Sequence, residues 1–261
     1  MPYASAPYWI AGLVALTIFA FWPFYFSSFG SAPAAAHFHA ATAFAWMALL
    51  FTQSLAIDRG WRGIHRSAGR ASLLLAPLFL AGGFWVVQTG NEASTPFGET
   101  VGLRLAFQDL ASLFGFGYFY FQALRTRRKA TLHGGYMLAT CLLLLYPTVF
   151  RLLPTHIPML AINGPDDFVN VEISVHISNA LTVAFAFWIA HRSQEGGRPF
   201  AEVAGVAALS SLALVSFTRL DAWEFVPRGV GALPATAVFA SGLVFGATCS
   251  ILGWRTCTSR S

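Results

Sequence analysis

Residues 38–57 read FHAATAFAWMALLFTQSLAI, twenty residues without a charged side chain. A run of about 20 apolar residues crosses the ~30 Å hydrocarbon layer of a membrane as a helix. In lipid only a helix or a closed barrel satisfies its own backbone, and this run lacks the two-residue alternation of a barrel strand. Within it His39, Ala43, Trp46, Leu50 and Gln53 recur at three- and four-residue steps, so they share one face. A polar stripe on a membrane helix has to be turned away from lipid, and by default it marks a site.

The rest of the chain repeats the pattern. Of 261 residues 56% are hydrophobic and 10% charged, against roughly a quarter charged in a soluble domain. Apolar stretches lie near 8–28, 38–57, 71–89, 103–123, 134–153, 171–191, 201–218 and 233–253. The expected fold is all-α, a polytopic membrane helix bundle of about eight transmembrane helices. It forms one integral membrane domain, 1–261, with its polar core helices within 36–191 and peripheral helices in 1–30 and 201–253. The last two stretches offer only small hydroxyls such as Ser210, Ser211, Ser216, Thr236, Ser241 and Thr248, residues that let helices approach closely.

Orientation follows from the basic residues. Segments 58–70, 124–133, 192–200 and the tail after Gly253 hold 12 of the 16: Arg59, Arg62, Arg66, Arg70, Arg125, Arg127, Arg128, Lys129, Arg192, Arg198, Arg255 and Arg260. With eight crossings all four segments share one side, which places both the N and the C terminus in the cytoplasm of a bacterial cytoplasmic (inner) membrane. Most acids fall opposite: Glu92, Glu99, Asp109, Asp166, Asp167, Glu172, Asp221 and Glu224, against Asp58, Glu195 and Glu202. The net charge of +5 therefore faces the lipid bilayer, and no nucleic-acid partner is expected. The first stretch has no basic n-region or small-residue cleavage site and reads as a retained anchor. Cys141 and Cys249 within helices and Cys257 in the tail make no disulfide framework. Nucleophile, Walker and dinucleotide motifs are absent.

Three more helices carry stripes. The fourth has Arg104, Gln108 and Ser112, with Asp109 one position around; the fifth His133, Met137, Thr140, Thr148 and Arg151; the sixth Glu172, His176 and Asn179. The eighteen residues from His133 to Arg151 make five whole turns of one continuous helix. Two layers result. His39, Arg104, Gln108, Arg151, Glu172 and His176 belong to the outer leaflet, and Gln53, His65, Arg66, Arg70, His133 and Tyr136 to the inner boundary. Histidines on facing helices at matched depth are how bundles hold haem and metals, and His39 with His176 is the best-matched pair. His37, His156 and His191 read more simply as boundary residues, and the run from Arg125 to Lys129 as a solvated loop.

Taken together, His39 through Gln53, His65-Arg66 with Gly69-Arg70, His133 with Tyr136-Met137, and Arg151-Leu152-Leu153-Pro154 resemble the pattern of the DUF2306 family of bacterial membrane proteins. The resemblance covers about 37–154 and implies the helical fold and this choice of residues. It departs at Tyr136, where that pattern has tryptophan. It implies no reaction.

Three functions fit the residues. The first is a b-type haem protein, a membrane oxidoreductase exchanging electrons with a quinone. His39 and His176 would be the axial ligands, Arg104 and Arg151 the propionate or quinone partners, Glu172 a proton carrier, and His65 with His133 a second pair. The second is a zinc or copper site built from His37, His39, His156 and His176 with Glu172; His37 and His39 share an ion only if the helix begins between them. The third is an accessory role among other membrane subunits, docked through the plain C-terminal helices.

Overall fold

The structure, a computed structural model, describes residues 3–92, 97–193 and 196–257. The Glu92 side chain, Glu195 and Arg260, which enter the charge asymmetry, lie outside the described residues. The chain folds into α1 (Ala6–Phe21), α2 (Ala34–Asp58), α3 (Arg62–Glu92), α4 (Leu103–Arg125), α5 (Ala130–Leu142), α6 (Leu145–His156), α7 (Phe168–Arg192), α8 (Arg198–Val215), α9 (Asp221–Ala232) and α10 (Ala235–Arg255). Among the described residues seven segments are long and apolar enough to cross a membrane, α5 and α6 counting together as one. The protein is an all-α integral membrane protein. The remaining expected crossing, α4, is not among these seven, although its 23 residues rise about 34 Å at ~1.5 Å each. Arg104, Gln108, Asp109, Gln122 and Arg125 make it more polar than its neighbours, and it packs among α3, α5, α8 and α10.

Three boundaries differ from the sequence expectation. Segment 58–70 is a short turn at Gly60, whose positive φ of 72° suits glycine. From Arg62 onward α3 is already helical, so His65, Arg66 and Arg70 stand on its first turns. The fifth crossing is two helices rather than one. Pro147 has no N–H and its ring displaces the carbonyl four residues earlier, and the break falls at Leu143–Leu144. The five-turn register between His133 and Arg151 is therefore not carried by one rod. Finally, α2 starts at Ala34 after an extended Pro33, so His37 and His39 both sit on helix and diverge.

The C-terminal α10 lies along α3 by way of Gly242 and Gly246. A Cβ at Gly246 would stand 2.5 Å from Pro77 Cα, and one at Gly242 2.8 Å from Ala81 Cα. Small residues four apart allow backbones to meet this closely, where van der Waals contact rather than hydrophobicity holds helices together. Across the centre, Trp46 Nε1 of α2 donates to Thr140 Oγ1 of α5 at 3.0 Å, with Phe79, Phe116, Phe119 and Tyr120 buried around it.

Candidate functional site: an intramembrane cavity

Between α1, α2, α3, α4 and α6 lies a cavity of about 330 Å³. Its walls are largely aromatic and aliphatic, among them Phe21, Phe24, Phe26, Phe44, Phe79 and Phe116, and its polar groups are few: His39, Asp109, Ser112, Tyr146, Thr148 and Arg151. The break before α6 contributes Leu143 and Leu144 to the wall, and Thr148 Oγ1 donates to the Leu144 carbonyl at 2.8 Å.

Each ionisable group reaches this space for a local reason. On α2, His37 turns to α1's extension, where Tyr25 Oη lies 2.8 Å from its Nδ1. Two residues on, His39 turns the other way, its ring 5.0 Å from that of Phe79 on α3. Gly82 and Gly83 let α2 and α4 close in on α3 here: a Cβ at Gly82 would stand 2.8 Å from Phe38 Cδ1 and 3.2 Å from His39 Cα, and one at Gly83 would run into Leu113 Cδ2. His39 Nδ1 is buried with no hydrogen-bond partner. On α4, Asp109 lines the cavity and its side chain is exposed to it. Among the described residues it makes no hydrogen bond. On α6, Arg151 Nη1 donates to the Pro147 carbonyl at 2.9 Å, and its guanidinium carbon lies 4.2 Å from the centre of the Phe21 ring. His39, Asp109 and Tyr146 all feel the charge of Arg151. A cation with unused donors, a carboxylate with unused acceptors and an imidazole with an unpaired nitrogen thus share one low-dielectric space.

The other expected outer-leaflet residues are placed elsewhere. On the far face of α4, Gln108 and Asn179 exchange amide hydrogen bonds of 3.4 and 3.2 Å. Asn179 Nδ2 also donates to Ser211 Oγ on α8 at 3.1 Å, which leaves the hydroxyl proton for His176 Nδ1 at 3.2 Å. The stripes of α4 and α7 do face each other, but His176 ends against Ser211 and does not share the His39 cavity. Glu172 pairs with Arg104 and, at 2.8 Å, with Arg219, beside a polar opening walled by Glu99, Arg104, Arg219 and Glu224. His156 is exposed and stacks on Phe19, ring centres 4.8 Å apart. The four-histidine set of His37, His39, His156 and His176 is therefore dispersed. Among the described residues no three His, Cys, Asp or Glu side chains gather as a metal-ligand group.

At the inner boundary, His65 of α3 and His133 of α5 do meet, with ring centres 6.4 Å apart and planes at 89°. Of the polar stripe and loop residues, His39 and Arg151 thus fall on the cavity, and Gln53, His65 and His133 at the inner end. Tyr146 and Phe21 lie outside the polar stripes, and Asp109 lies one position off its own. Pro147 is the signal that locates the break, and the offset of Asp109 from the Arg104, Gln108 and Ser112 stripe is the signal that turns it to another face. Compared with known protein families, curated proteins and solved structures, the chain matches none.

Proposed function

We propose that this membrane protein binds a lipid-soluble molecule with a small polar head, of the quinone class, in the cavity between α1, α2, α3, α4 and α6. The observation that carries the reading is the company of Arg151, Asp109 and His39 in one 330 Å³ apolar space. That volume lies in the ~300–1,000 Å³ range of small-molecule sites, which are apolar with a few convergent polar groups. Ionisable groups in a membrane are costly and mark such sites.

In this reading Arg151 is the anchor, its free N–H groups donating to a ring carbonyl. Asp109 and His39 stand to hydrogen-bond the oxygens of the head group, accepting from a hydroxyl or, when protonated, donating to a carbonyl. The aromatic walls hold the ring and its apolar substituents. A single haem held between His39 and His176 finds less support, because the two imidazoles face different partners. Zinc or copper at the outer histidines has the same difficulty.

The test is to purify the full chain from bacterial membranes, extract it with organic solvent and quantify quinones by mass spectrometry, alongside Arg151→Gln and Asp109→Asn. The parent should carry quinone in near-stoichiometric amount and Arg151→Gln at least tenfold less. Parent protein holding no more quinone than an unrelated membrane protein of the same preparation would overturn the reading.

A further inference from the structure

At the opposite end of the bundle from the cavity, three side chains on three helices carry polar atoms that make no hydrogen bond among the described residues. His133 of α5 donates from Nδ1 to the Ala123 carbonyl at 2.8 Å. A carbonyl only accepts, so this bond fixes the proton on Nδ1 and leaves Nε2 as a bare lone pair. A backbone carbonyl holding the remote ring nitrogen is also how metal-binding imidazoles are oriented. His65 of α3 lies against the backbone carbonyl of Gln53, yet its Nδ1 is enclosed without a hydrogen-bond partner. Gln53 of α2 is 8% exposed, and its Oε1 is likewise enclosed and without a partner. The Gln53 amide nitrogen stands 3.4 Å from the Cβ position of Gly69, one turn along α3 from His65, so the amide packs against this stretch of α3. An enclosed polar atom without a partner is costly. Here two such atoms and one oriented imidazole gather together.

Lone pairs without donors call for a Lewis acid. With a metal–nitrogen bond of about 2.0 Å, each ring centre falls roughly 3 Å from the ion, giving roughly 6 Å between opposed imidazoles and roughly 5 Å between tetrahedral ones. The observed 6.4 Å matches the opposed arrangement. The ligands are neutral, and the charged residues around them are basic: Arg62, Arg66 and Arg70 on the first turns of α3 with His65, and Arg127 before α5. Both facts favour an ion of low charge over a divalent one. Imidazole suits copper, and two opposed neutral nitrogens make the linear, two-coordinate arrangement that monovalent copper adopts.

We propose that His65 and His133, assisted by Gln53 Oε1, form a Cu(I) site at the inner end of the bundle, independent of the quinone cavity. The site needs no carboxylate and no cysteine.

The experiment uses the full chain in detergent under anaerobic conditions, titrated with Cu(I) against a chromophoric chelator, and separately with Zn(II). One Cu(I) per chain is expected, with affinity at least tenfold weaker in His65→Ala and in His133→Ala. Gln53→Leu should weaken it less. His65 stands on the exposed first turns of α3, so His65→Ala should keep the parent's helical circular dichroism and its quinone content. Cu(I) uptake that is absent, or unchanged in both histidine variants, would overturn the site. Zn(II) held more tightly than Cu(I) and lost in the same variants would overturn the monovalent assignment.

Discussion

The guanidinium of Arg151 rests on the face of Phe21, 4.2 Å from the ring centre, and not on a carboxylate. An arginine carries five N–H donors, and among the described residues this one spends a donor only on the Pro147 carbonyl. The ring offsets part of the cost of a charge in the bundle without consuming hydrogen bonds. Binding capacity therefore remains.

From this follows a stability coupling. Phe21→Leu should cost about 1–2 kcal/mol, the range of a desolvated cation–π contact, and Arg151→Gln should absorb most of that loss in the double variant. Thermal unfolding in one detergent, run as a double-mutant cycle, measures it. Additive losses would show that ring and cation do not interact.

A second coupling spans α2 and α5. Trp46→Phe and Thr140→Val each remove the 3.0 Å Trp46–Thr140 bond. Interhelical hydrogen bonds in membranes average about 0.6 kcal/mol in such cycles, so the expected coupling is of that order. A value near zero would reduce the pair to simple packing.

The contact of α10 with α3 is less forgiving. Gly246→Leu would set a side chain where 2.5 Å separates the Cβ position from Pro77 Cα, and backbone cannot yield as a side-chain tip does. The variant should fail to accumulate or elute as aggregate on size exclusion, whereas Gly12→Leu, where a Cβ meets nothing within 4 Å, should behave as the parent.

Tyr3, outside the crossings, gives a pH dependence. Its hydroxyl donates to the Gly196 carbonyl at 3.0 Å, and burial pushes the phenol up to about 12. The folded state thus holds this proton more tightly than the unfolded one. Its contribution is complete below pH ~10, the unfolded value, and is lost as pH rises through 12. Tyr3→Phe should show a shallower fall in thermal stability over that interval than the parent. Parallel curves would remove Tyr3 from the alkaline transition.

The 12-to-4 division of basic residues gives a topology to test. Single cysteines placed at Arg66 and at Trp254, in a background lacking the native three, should resist a membrane-impermeant maleimide in intact cells and react after lysis. Reaction at either position from outside would reverse the orientation.

Much of this architecture was legible because hydropathy and stripe register depend on local sequence. The facing stripes of α4 and α7 follow from that register, and the depth shared by His39 and Arg151 follows from their places near the outer ends of their stretches. What escaped depends on three-dimensional neighbours. Whether His176 meets His39 or Ser211 turns on how α8 is seated, which no periodicity records. Asp109 was noted one position off the stripe of α4, and that offset of about 100° is what sends Gln108 to Asn179 and Asp109 to the cavity. The tight approach at Gly242 and Gly246 was hidden in a helix that looked featureless because glycine adds no polarity.

The break that Pro147 imposes separates two mechanical elements. A continuous fifth crossing would act as a stiff shaft, so that any twist imposed on Arg151 at one end would turn His133 at the other. With α5 and α6 jointed at Leu143–Leu144, torsion is absorbed at the joint. Each end of the crossing can then answer to its own surroundings without disturbing the other.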